Sequence, residues 1–142
     1  MYIVSACLAG VDCKYSGGNN YNEKIEKLVK EGKAVLVCPE QLGGLKTPRD
    51  PSEQQGDKVV TDKGIDVTNE YNKGAIETLK IAKMCGADTA ILKSRSPSCG
   101  CGEIYDGTFS GTKIAGDGVT TKLLLENGIK VISSDDLDNI NL

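Results

Sequence analysis

The 142-residue chain contains no histidine and no tryptophan, and only 4% of its residues are aromatic. Without histidine there is no Ser-His-Asp or Cys-His catalytic pair, no two-histidine zinc site and no imidazole proton shuttle. Acid–base chemistry falls to Glu, Asp, Lys, Tyr, Ser or a thiol, and a metal must be held by sulfur or carboxylate. The scarcity of aromatics disfavours a base-stacking nucleic-acid surface. A formal net charge of -3 gives no sign of the basic face that a sequence-independent grip on nucleic acid requires. No apolar run approaches the ~20 residues of a membrane span. The opening MYIVSACLAG lacks the basic start and long apolar stretch of a secretion leader, so a cytoplasmic location with reduced thiols is expected.

Against these absences stand six cysteines. Hydrophobic content of 39% and charged content of 26% suit an ordinary folded domain, and the length suits a single one spanning 1–142. Short apolar runs alternate with helical patterns. Tyr2 to Ala6, Ala34 to Val37, Thr89 to Leu92 and Val131 to Ser133 read as strands. Asn22 to Glu31, Thr68 to Met84, Val119 to Glu126 and a short segment from Ser134 read as helices, with Thr68 and Asp117 as caps. This order predicts an α/β, three-layer, Rossmann-like fold: a mostly parallel sheet with helices on both faces. Two long segments, 39–64 and 93–118, interrupt the rhythm. The first is expected to contain a hairpin pairing Val59-Val60 with Ile65-Val67. Loops of such length in a compact domain are commonly functional.

In an open parallel sheet, ligands bind beyond the carboxyl ends of the strands. Cys7 follows the first strand, Cys38 the second, and Cys99 lies in the loop after the third. Three thiols from three strand ends can converge on one spot. Such a site suits an iron–sulfur cluster with one open iron, and spacing alone leaves zinc equally open. Cys85 closes a helix and reads as packing; Cys13 and Cys101 are spare thiols or a fourth ligand. No Cys-x-x-Cys pair is present, and a redox pair of Cys99 with Cys101 would form a strained disulfide.

Glu40, two residues beyond Cys38, is the candidate proton carrier, and Ser96 and Ser98 beside Cys99 offer hydroxyls for substrate or proton relay. Lys93 is expected near the pocket, and Arg49 and Glu53 are expected to pair across Pro51. A non-catalytic metal- or cluster-binding module is the alternative reading of the same thiols.

The segments CLAGVDCKYSGG (7–18), CPEQLGGLKTPRDPSE (38–53), LKSRSPSCG (92–100), IYDGTF (104–109) and GDGVTTKLL (116–124) resemble the domain of unknown function 523. That family includes thiouracil desulfurases and longer relatives acting on thiouridine in tRNA. The resemblance implies a 4Fe-4S cluster held by three cysteines, matching Cys7, Cys38 and Cys99. Its fourth iron is left free to take sulfur from a thiolated pyrimidine in a non-redox desulfuration. It covers nearly the whole chain. The first motif departs at Lys14-Tyr15-Ser16-Gly17, where the family usually has Arg-Tyr-Asp-Gly. The acidic balance favours a small thiolated pyrimidine over tRNA, although Lys93, Arg95 and Lys113 offer a local basic loop.

Overall fold

The computed structural model describes residues 1–142. Four strands form a purely parallel sheet: β1 (Tyr2–Ser5), β2 (Ala34–Val37), β5 (Thr89–Leu92) and β8 (Lys130–Ser133), in the order β2-β1-β5-β8. The remaining strands make two antiparallel hairpins, β3 (Ser52–Gln55) with β4 (Lys58–Thr61) and β6 (Glu103–Tyr105) with β7 (Lys113–Ala115). The helices are α1 (Glu23–Lys30), α2 (Pro39–Leu42), α3 (Thr68–Met84) and α4 (Val119–Glu126), with 3-10 turns at Ala6–Ala9 and Ser134–Asn139.

The parallel strands are built on short apolar runs, Ile3-Val4, Ala34–Val37, Ala90–Leu92 and Val131-Ile132, because both faces of the sheet are covered. Val4 and Ile91 point to one side and pack with Ile25 and Leu28 of α1 and with Leu137. Their neighbours Ile3, Ala90 and Leu92 point to the other side, against Ala82 of α3 and Leu124 of α4. The expected layered α/β architecture is therefore the one observed. No helix is long and apolar enough to cross a membrane.

Caps depart from expectation in two places. Asn22 caps α1 by accepting from the Lys24 amide. At α3 the Thr68 amide is instead taken by Asp66, while the Thr68 hydroxyl accepts from the Val59 amide and ties the helix to β4. At α4 the capping position is Gly118, and Asp117 accepts from the Gly102 amide. The first amides of α4 are already bonded to the carbonyls of Pro97 and Ser98, which leaves Asp117 free to brace the neighbouring loop.

The two long segments are more ordered than their composition suggests. Val59-Val60 is paired on both edges: on one with Gln54-Glu53, through a tight turn at Gly56 (φ 64), and on the other with the expected 65–67, where the Val60–Asp66 bridge is closed by the Val67 amide to the Val59 carbonyl and the Thr61 amide to the Ile65 carbonyl. Ser52–Gln55 is wholly polar and carries no alternation, which hides a strand from periodicity. Strand β7, Lys113–Ala115, is hidden for another reason: it is three residues long and all are exposed.

Candidate active site

The chain passes from β1 to β2 on one side and then to β5 on the other, so the strand order reverses beside β1. Clefts form at such a reversal. Here a cavity of about 620 Å³ opens beyond the strand ends, and Cys7, Cys13, Cys38 and Cys99 all line it. Cys7 sits in the 3-10 turn after β1, Cys38 directly precedes α2, and Cys99 lies in the turn after β5. The three strand-end thiols are thus brought together, with Cys13 as a fourth.

Cys99 is held by the backbone turn that carries it. Ser96 Oγ accepts from the amides of Ser98 (3.1 Å) and Cys99 (3.0 Å), folding 96–100 into a compact turn. Helix α4 clamps that turn: Thr121 Oγ1 donates to the Cys99 carbonyl at 2.9 Å, and Thr120 Oγ1 pairs with Ser98 Oγ at 2.8 Å. A Cβ on Gly118 would collide with the backbone of Ser98, so a glycine is needed for this approach.

All six cysteines are free. The buried Cys13 thiol lies in hydrogen-bond reach of Cys7 and Cys38. That contact is the largest influence holding Cys38 down at about 6 and Cys7 at about 7, while Cys13 itself is pushed far up. Cys99 is raised to about 12, chiefly by burial. On this wall the thiolate form is thus favoured at Cys38 and Cys7, and the thiol form at Cys13 and Cys99. Lys93 lines the same cavity, and burial followed by the charge of Arg95 lowers its pKa.

Apart from these thiols, the cavity's only carboxylates are Glu40, Glu53 and Asp62, and it has no imidazole. A soft, all-sulfur donor set spread around a roomy cavity fits an iron–sulfur cluster.

Glu40 is where the chemistry of the motif and the fold meet. Its Oε1 accepts from Arg49 Nε at 3.0 Å and from the buried Tyr71 hydroxyl at 2.8 Å. Arg49 also donates to the Cys13 carbonyl at 2.9 Å, and its side chain is only 7% exposed. Glu40 Oε2 has no protein partner and is not sealed from solvent. The expected Arg49–Glu53 pair does not form. Arg49 is drawn to the thiol side by Tyr15 and Cys13 carbonyls, whereas Glu53, on β3, accepts from the amides of Gly107 and Phe109.

Ser96 lines the cavity and Ser98 does not; Ser98 is 1% exposed and its hydroxyl is spent on Thr120. Cys85 packs at the end of α3 and Cys101 directs its thiol at the Val131 carbonyl, both away from the cavity lining, which separates Cys101 from Cys99. Sequence reasoning missed Tyr71 and the cavity-lining Tyr105 and Phe109. Tyr71 sits four residues before Ala75 on the buried face of α3, and Phe109 is the only phenylalanine in the chain.

Known proteins resemble this chain over nearly its whole length. The chain is 51% identical to the uncharacterised protein YbbK of Bacillus subtilis (strain 168), with 99% of each chain covered. It superposes on a solved structure of the [4Fe-4S]-dependent thiouracil desulfidase TudS with a TM-score of 0.93 and 46% identity, covering 97% of this chain and 93% of that one. The family model for 2-thiouracil desulfurase matches residues 2–136, and the chain belongs to that family.

Proposed function

We propose that this protein is a [4Fe-4S]-dependent desulfurase that converts a thiolated pyrimidine such as 2-thiouracil into the oxo base and hydrosulfide. The observation that carries the reading is the meeting of Cys7, Cys38 and Cys99 on one cavity wall beside a half-free Glu40. These three thiols are the proposed cluster ligands. When bound, the cluster supplies a soft Lewis acid with affinity for sulfur at its open iron.

The chain's own residues supply the rest. Water replaces sulfur at the ring carbon and loses both protons in becoming the carbonyl oxygen: one goes to the departing sulfur to make hydrosulfide, and the other must go to a base on the protein as the carbon–sulfur bond breaks. Glu40 Oε2 is the acceptor of that proton, because Oε1 is committed to Arg49 and Tyr71. Ser96 holds the substrate: its oxygen already accepts two amides, which leaves its own O–H to donate into the cavity. Ser98 is thereby left to the scaffold. Two-electron redox chemistry is not needed, since C=S and C=O carbon have the same oxidation level.

The test is anaerobic reconstitution with iron and sulfide, followed by incubation with 2-thiouracil. Loss of thione absorbance with release of hydrosulfide is expected. A preparation with an intact cluster that releases no sulfide from any thiopyrimidine would sink the catalytic reading and leave a cluster-binding module.

A further inference from the structure

The chain has five tyrosines and one phenylalanine, and four of these six rings line the thiol-bearing cavity: Tyr15, Tyr71, Tyr105 and Phe109. Tyr71 is buried and spends its hydroxyl on Glu40. Phe109 is different in kind. It is half-buried, yet it packs against none of the three hydrophobic clusters of the fold. Its flanking residues Thr108, Ser110 and Gly111 are exposed. A phenylalanine on a polar loop that joins no core is presented to the cavity rather than stored in it.

The backbone is forced to present it. Only two non-glycine residues of the chain have positive φ, Arg95 at 61° and Phe109 at 56°, and both line the cavity. A bulky residue in this region is a genuine outlier and persists only where its surroundings over-determine it. Those surroundings are on the facing hairpin. Glu53 Oε1 accepts from the amides of Gly107 (3.0 Å) and Phe109 (3.2 Å), and Gln55 Nε2 donates to the Gly107 carbonyl at 2.9 Å. Asp106 Oδ1 accepts from the Thr108 amide at 3.0 Å, tightening the loop from within. Gly107, at φ 93, has no room for a Cβ against the Gln54 carbonyl. Two segments distant in sequence, β3 and the loop itself, thus cooperate to hold one ring.

We propose that Phe109 is the stacking platform for the pyrimidine ring and that Glu53 is its positioning residue, a proposal that rests on the desulfurase reading for the identity of the substrate. A phenyl face has no hydrogen-bonding preference, so it accepts a planar pyrimidine whether the exocyclic atom is sulfur or oxygen. Selectivity for the ring and chemistry at the thione are then divided between the loop 106–112 and the thiol wall. Ring stacking of this kind acts on substrate and transition state alike, so its loss appears in KM.

The absence of tryptophan provides the probe. Phe109→Trp keeps a stacking ring and adds the only indole of the protein, excited at the red edge of its band where uracil does not absorb. In the reconstituted protein, uracil is expected to quench it saturably and to inhibit turnover competitively over the same concentration range. Phe109→Ala and Phe109→Leu are expected to raise KM for 2-thiouracil about tenfold or more, with kcat changed far less. Phe109→Trp should keep KM near the wild-type value. Glu53→Ala should reproduce the rise in KM with the ring intact, and Glu53→Gln, which retains an acceptor oxygen, should restore most of it. An unchanged KM in Phe109→Leu, or indole emission indifferent to uracil at inhibitory concentrations, overturns the proposal. If the wild-type protein with an intact cluster releases no sulfide, the desulfurase reading falls by itself. Titration of the indole with 2-thiouracil and uracil still decides whether the loop binds pyrimidines.

Discussion

Glu40 has one carboxylate oxygen committed and one free, and the division follows from its neighbours. Arg49 and Tyr71 both address Oε1, so the carboxylate cannot rotate without losing a charged and a neutral donor together. Glu40→Gln keeps the shape but loses the proton acceptor. Turnover is expected to fall by about 10²-fold or more while the brown colour of the reconstituted protein is kept. Tyr71→Phe removes one of the two donors and leaves the other, with an expected stability loss of about 1 kcal/mol in denaturant unfolding. The thiols divide at the same scale. Cys7→Ser, Cys38→Ser and Cys99→Ser are each expected to bleach the protein, measured as loss of the broad visible band and of bound iron. Cys85→Ser, outside the cavity lining, should keep both.

Among the elements, the contact between α2 and α3 has the least slack. A Cβ on Gly43 would collide with the Glu70 carbonyl, and one on Gly74 would collide with the Pro39 carbonyl. The two backbones touch through paired glycines, and this touch sets Glu40 on α2 beside Tyr71 on α3. Gly74→Ala must push the helices apart. A loss of about 1–3 kcal/mol is expected from overpacking, read as a lowered midpoint in denaturant unfolding. Catalysis should suffer beyond that loss, because the Tyr71–Glu40 bond lengthens. The clamp of α4 on the 96–100 turn works by hydrogen bonding instead: Thr121→Val leaves the buried Cys99 carbonyl without its side-chain donor, at a cost of about 1–3 kcal/mol.

For the whole molecule, the cavity is the place where the sheet, both hairpins and the first loop meet. Residues from 5 to 111 contribute to its wall. The three thiols proposed as cluster ligands leave from three different strands, so a group bound to all three ties together segments that otherwise meet only through the sheet. Binding restricted to the native state raises stability by mass action. Anaerobic thermal unfolding is expected to show a higher Tm for the reconstituted protein than for the metal-free chain, with the difference abolished in Cys99→Ser.

The parallel strands and the helices over 68–84 and 119–126 were legible because each is a continuous apolar run or a 3.6-residue period, signals that depend only on near neighbours. The positions of Cys7, Cys38 and Cys99 after strand ends were legible for the same reason, and the absence of histidine narrowed the proton carrier to Glu40 or a serine. Pairings between distant polar residues were not legible. Whether Arg49 meets Glu53 or Glu40 and whether Ser96 or Ser98 faces the cavity depend on partners that the fold brings in, Tyr71 and the Cys13 carbonyl in the first case and Thr120 in the second. The sequence by itself determined the layered architecture and the sulfur-rich chemistry, because periodicity and residue type are local properties. Only the tertiary structure decided which oxygen of Glu40 is free and where Phe109 is held, because a hydrogen bond or a ring's orientation is set by partners that the chain order does not place side by side.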